Sequence, residues 1–223
     1  MSRLSVAFVV TLMTAILSAA PARAVFDLRI TEVWVGQDGS DLSEDWFELR
    51  NYGDMAWTTA DGAMTVNDNT GGLTTDVPVS GITEIQPGEI VIVLMEGNPV
   101  NGDIQEFYDV WNPVKPQILE NIGYADGSGL GLGSGGDSVN LFIADILEDT
   151  FTYSSSTSGV SIDVMLGEES FVGNASGAVA TNAVNDLGES AVGSPGMVVP
   201  EPASAILGFL GLAGAVCFAR RGR

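Results

Sequence analysis

The chain has no histidine, one cysteine in 223 residues, and eight basic residues against 29 acidic ones. Each scarcity removes chemistry. Without histidine there is no Ser-His-Asp triad, no imidazole base and no His metal site. The lone cysteine, Cys217, stands in an apolar C-terminal stretch. No intrachain disulfide can form, and the body of the chain has no Cys nucleophile. Cations are scarcer still away from the ends. Residues 25–199 hold three basic residues, Arg29, Arg50 and Lys115, against 28 acidic ones, a net charge of about −25. Such a surface repels nucleic acid and anionic lipid, so no nucleic-acid partner is expected. It favours solubility and can collect divalent cations. Carboxylates, hydroxyls and one lysine are the remaining catalytic repertoire.

Both ends read as transport signals. Arg3 precedes an apolar run from Val6 to Ala19, and Ala22-Arg23-Ala24 fits the small-x-small cleavage rule. Residues 1–24 are therefore expected to be a signal helix that engages the secretory translocon and is cut by signal peptidase after Ala24. At the other end, Pro200-Glu201-Pro202 precedes an apolar stretch, residues 203–219, closed by Arg220, Arg221 and Arg223. Seventeen residues is the short end of what spans a hydrocarbon core. Gly208, Gly211 and Gly214 lower helix propensity but allow close approach to another helix. The arginines hold the C-terminus in the cytoplasm. A plain, uncut membrane anchor would show the same helix.

The order of these three parts, at the extreme C-terminus, resembles the PEP-CTERM sorting signal of Gram-negative bacteria. The resemblance implies that residues 200–223 form a transmembrane intermediate in the inner membrane. It also implies processing by exosortase and delivery to the cell surface or the extracellular space.

The body alternates like a β protein. Residues 26–35, 45–51, 55–66 and 89–95 are rich in β-formers, with a break at Asp61-Gly62 and a loop at 36–44. The run 89–95 is apolar throughout after Glu89, which predicts a strand buried on both faces. Ile104, Phe107, Tyr108 and Trp111 recur at helical spacing and predict a helix over 103–111, capped at Asn101-Gly102-Asp103 and ended by Asn112-Pro113. That aromatic stripe is read as core packing rather than a ligand platform. Residues 117–122 predict a short strand, 123–137 a loop, 138–143 with 149–153 a hairpin, and 160–165 a last strand. Residues 167–199 lose the pattern and are expected to be an irregular arm. Phe47, Leu49, Ile90, Ile92, Leu94, Val139 and Leu141 are the expected core.

The ordered motifs resemble the lamin-tail family. They are Ile30-Thr31-Glu32-Val33, then Asp45-Trp46-Phe47-Glu48-Leu49-Arg50-Asn51, Gln86-Pro87-Gly88, Tyr108-Asp109-Val110-Trp111, the run from Leu132 to Leu141, and Ser194-Pro195-Gly196. One departure is Ala56-Trp57, which stands early for the family's Gly-Trp pair. The resemblance implies an all-β, immunoglobulin-like antiparallel β-sandwich over 25–166 with one short inserted helix, followed by the arm 167–199.

Two groups of acids are candidate sites. Glu32 and Glu48 lie in strands and match acidic positions of the family. They are read as inward structural carboxylates, with an acid–base pair as the alternative. Asp38, Asp41, Glu44 and Asp45 share one loop and offer oxygen ligands that suit calcium, although their spacing is not that of an EF-hand. No other cofactor is expected. The chain thus reads as a non-enzymatic structural or adhesive module of the cell surface or extracellular matrix. Its expected partners are exosortase and extracellular polysaccharide or envelope proteins. The alternatives are a carboxylate-based polysaccharide hydrolase and a calcium-dependent binding module.

Overall fold

A computed structural model describes residues 25–68, 76–115, 121–127 and 129–197. The expected leader, with Ala22 and Ala24, lies outside these residues. So does the tail with Pro200, Glu201, Pro202, Arg220, Arg221 and Arg223, and most of the strand expected at 117–122. Among the described residues no helix is long and apolar enough to cross a membrane.

The described residues are mostly β-strand, in several sheets, with one short helix. In chain order the strands are β1 (Leu28–Trp34), β2 (Trp46–Asn51), β3 (Trp57–Thr58), β4 (Met64–Asn67), β5 (Val77–Pro78), β6 (Glu84–Ile85) and β7 (Ile90–Met95). Helix α1 (Asp103–Trp111) follows. Then come β8 (Ile122–Ala125), β9 (Asp137–Ile143), β10 (Ile146–Tyr153), β11 (Ser161–Asp163), β12 (Glu168–Glu169), β13 (Val179–Ala180) and β14 (Val192–Gly193). Six strands pair in the order β12-β11-β1-β2-β7-β8 and four in the order β10-β9-β4-β5; β3-β6 and β13-β14 are small ladders.

Strand alternation builds two cores. Leu28, Ile30, Val33, Phe47, Leu49, Val91 and Val93 of the larger sheet share one apolar cluster with Met64, Val66, Val139, Leu141 and Ile143 of the smaller. The other face of the larger sheet presents Trp34, Trp46, Ile92 and Leu94 to Phe107 and Trp111 of α1. β7 is covered on both sides, and all six of its residues are buried. This is the physical reason for its unbroken apolar run. The seven expected core residues are all buried. At about 25 cal/mol per Å² of apolar surface removed from water, this burial is the main stabilising term.

The structure departs from the sequence expectation in four places. β7 and β8 are parallel, not antiparallel, because α1 carries the chain back across the sheet. The 123–137 loop therefore opens as strand. The helix has Gly102 at its N-cap, at φ 99° and with no side-chain cap; the Asp103 carboxylate instead accepts from Asn98 N. The 55–66 region splits into β3 and β4 on either side of the expected break at Asp61-Gly62, but Trp57 pairs with Ile85 in a separate small ladder rather than joining the larger sheet. The 167–199 stretch carries β12, β13 and β14 between its turns.

One irregularity positions the site. Ile30 pairs with Leu49 and Glu32 with Glu48, so Thr31 is an extra residue on β1. Simple alternation would leave Glu32 on the same side as Ile30, inside the main core. The bulge turns it to the outer face beside Glu48.

Candidate functional site

The outer face of the larger sheet has three zones. At one end Trp34 and Trp46 stack with centroids 6.4 Å apart, and Trp111 meets Trp46 edge-on at 5.7 Å. In the middle lies a row of carboxylates, Glu48 on β2, Glu32 on β1 and Asp163 on β11, joined by direct cross-strand register. At the other end Arg29 stands opposite Arg50, and the Arg50 guanidinium lies 4.6 Å over the Tyr52 ring.

The carboxylate row is buried: Glu32 is 3%, Glu48 2% and Asp163 2% exposed. Like charges directly opposed across strands repel, so the row stands only with protons and donors. The chain supplies donors to all four glutamate oxygens. Glu32 Oε1 accepts from Ser161 Oγ and from Ser194 N, the latter at 2.7 Å, and Oε2 accepts from Ser194 Oγ at 3.0 Å. Glu48 Oε1 lies 2.6 Å from Thr31 Oγ1, and Oε2 accepts from Gly196 N at 2.6 Å. The C-terminal Ser194-Pro195-Gly196 segment is thus a clasp that closes over both acids. Gly193 eases this approach: a Cβ there would meet Trp111 at 3.0 Å, and Glu32 Oε1 and Ser161 Oγ at 3.3 Å, so these neighbours would have to give by a few tenths of an ångström.

Burial lifts the Glu32 carboxyl to about 7, against the pull of its serine donors. It lifts Glu48 to about 8, where the neighbouring Glu32 charge adds to burial. The pair therefore retains a proton at neutral pH. Lys115 is held below its ordinary value by burial, while the charges of Glu32 and Glu48 pull the other way. Its Nζ donates to Gly177 O at 2.8 Å, which ties the helix exit to the arm. The cavity beside the pair measures about 10 Å³, room for about one water. The arrangement can store a proton and hold the arm; any substrate would first have to displace the clasp.

The four loop acids are arranged differently. Asp45 bridges two loops, its Oδ1 accepting from Gly36 N at 2.5 Å and its Oδ2 from Leu132 N at 2.6 Å. Asp41 accepts from Gln37 N. Asp38 contributes its carbonyl, which accepts from Asn185 Nδ2 at 2.9 Å. Glu44 is pushed up to about 7 by burial and by the charges of Asp103, Asp45, Glu96 and Asp41. Burial also raises Asp45 to about 6, with the two N–H donors opposing. Among the described residues, no group of three or more acidic, His or Cys side chains is placed to hold a metal ion.

Replacing Asp45 by Asn should cost roughly 1–3 kcal/mol, because one of two N–H groups would face an NH₂ instead of an oxygen. Urea denaturation measures it; an unchanged midpoint would show that the loop junction does not need the carboxylate.

Asp163, Ser161, Ser194 and Gly196 are the site residues that sequence reasoning missed. Ser161 is 129 residues from Glu32, and Ser194 is 162 residues away. No spacing rule links them. The one available signal was the Ser-Pro-Gly motif itself, a tight turn in a stretch otherwise lacking periodicity. Comparison with known proteins finds no matching family model, no matching curated protein and no matching solved structure.

Proposed function

We propose that the chain is an exported structural or adhesive component of the cell envelope or extracellular matrix. In this reading an immunoglobulin-like sandwich of lamin-tail type travels by the leader 1–24. The tail 200–223 then holds it in the inner membrane until exosortase processing delivers it to the surface. The observation that carries the non-catalytic part is the clasp: every oxygen of the Glu32–Glu48 pair is taken by the chain itself, beside a cavity of one water's volume. The same clasp supports a tethering role. It fixes residues 194–196 to the centre of the largest sheet, a few residues before Pro200, so tension on the tail passes into buried hydrogen bonds.

Two experiments test the reading. Mass spectrometry of protein from cells with and without exosortase should find the tail intact only where the enzyme is missing. Arg223 on released protein from normal cells would defeat the sorting claim. Incubation with neutral and acidic polysaccharides should release no sugar. Release that disappears in Glu48→Gln would instead establish the carboxylate hydrolase, for which a Glu48 proton held to about 8 would be the general acid. For the acidic surface, calcium should promote association more than sodium chloride of equal ionic strength, since only the divalent ion bridges carboxylates. Equal effects would leave a passive surface.

A further inference from the structure

The open end of the outer face carries a groove of about 510 Å³ that the clasp does not use. Its volume lies within the roughly 300–1,000 Å³ of small-molecule sites. Tyr52, Val164 and Met165 supply apolar lining; Asp27, Arg29 and Asp149 supply polar lining. Arg29 of the groove stands in direct register with Arg50, which lines the small cavity beside the acids, an unfavourable pairing unless each is otherwise engaged. Arg29 is fixed by Asp27, Nε to Oδ1 at 2.5 Å, and attracted by Asp149 and Glu148, yet its side chain is 52% exposed; among the described residues its terminal amino groups make no hydrogen bond. Asp149 spends Oδ2 on Ile30 N at 2.8 Å, and among the described residues its Oδ1 accepts no hydrogen bond. Among the described residues the Arg50 side chain makes no ion pair or hydrogen bond; its buried Nε is unpartnered, and its guanidinium braces the Tyr52 ring.

We propose that this groove binds a neutral sugar unit of a glycan. The reason is a match of chemistries. A pair of adjacent sugar hydroxyls both accepts and donates, as the Arg29 amino groups and the Asp149 and Asp27 oxygens require side by side. The apolar face of the sugar ring fits Tyr52 and Met165. Charge selects against an anionic sugar: two carboxylates accompany Arg29 in the groove, and the surrounding domain carries about −25. The proposal stands on the groove alone and needs neither export nor tail processing, so binding and sorting fail separately.

The test is isothermal titration of the full-length protein with neutral tetrasaccharides of glucose, mannose and galactose, and with tetragalacturonate. At least one neutral probe should bind saturably at millimolar concentration or below, and more tightly than tetragalacturonate. Arg29→Met and Tyr52→Leu should each weaken binding about tenfold or more, with thermal midpoints unchanged for the exposed Arg29→Met. Failure of every neutral probe to bind would overturn the proposal. So would binding indifferent to both substitutions, or preference for the galacturonate.

Discussion

Raising the pH from 5 to 9 should destabilise the protein steeply, with the melting temperature falling by on the order of 10 °C. The cause is the buried glutamate pair. Burial raises Glu32 from its ordinary 4.5 to about 7 and Glu48 to about 8. Between those limits the folded chain keeps protons that the unfolded chain has lost. The stability from these groups is therefore fully present below about 4.5 and is lost as pH rises through about 7 and 8. A pKa unit corresponds to about 1.4 kcal/mol, so the pair is worth several kcal/mol. Glu44 and Asp45, also raised, act in the same direction. The growing negative charge of the whole surface adds to them. The Ser194 and Gly196 donors oppose the loss in part, because they hold the ionised carboxylates more strongly than the neutral ones. Thermal melts across the range measure the slope. Glu48→Gln should flatten it: the amide keeps a carbonyl oxygen for Gly196 N–H, offers a donor to Thr31 Oγ1, and does not titrate. A melting temperature that is flat or rises toward pH 9 would refute the account.

The parts legible in the sequence are those set by local periodicity. Ile104, Phe107 and Trp111 announced the helix, and the run Ile90–Met95 announced a strand covered on both faces. What escaped depends on events that periodicity does not encode. The bulge at Thr31 shifts β1 by one residue and moves Glu32 from the side of Ile30 to that of Glu48. Nothing in the residue types there demands it. The parallel pairing of β7 with β8 follows from the path of the crossover, not from alternation within either strand. The arm lacks a repeating pattern because side chains hold its turns. Asn174 Oδ1 accepts from Ser176 Oγ and Ala178 N, and Asn185 Oδ1 accepts from Leu187 N and Glu189 N. The two glutamates were legible as structural carboxylates accepting hydroxyl and backbone hydrogen bonds, but the face they occupy was not. Their closure by serines more than a hundred residues away was not.

Asn51→Ala should be among the most damaging single substitutions, costing on the order of 4 kcal/mol or more. Asn51 is fully buried and ends β2. Its Oδ1 accepts from Gly53 N at 2.9 Å and Asp27 N at 3.2 Å; its Nδ2 donates to Met55 O at 2.9 Å and Ile85 O at 3.0 Å. One side chain thus joins the entry to β1, the turn after β2 and the end of β6. Alanine leaves two N–H and two C=O groups of the backbone without these partners, each worth about 1–3 kcal/mol when buried. Asn51→Asp separates hydrogen bonding from simple volume. It preserves size and the acceptor oxygen, but turns a second oxygen toward two carbonyls at neutral pH. It should be as destabilising as alanine near pH 7. Its deficit against wild type should shrink at low pH, where a protonated carboxyl can donate to one carbonyl. Urea unfolding at both pH values measures this. A loss below about 1 kcal/mol for Asn51→Ala would mean that water replaces the side chain. A pH-independent deficit for Asn51→Asp would mean that the lost donor is not what the junction depends on.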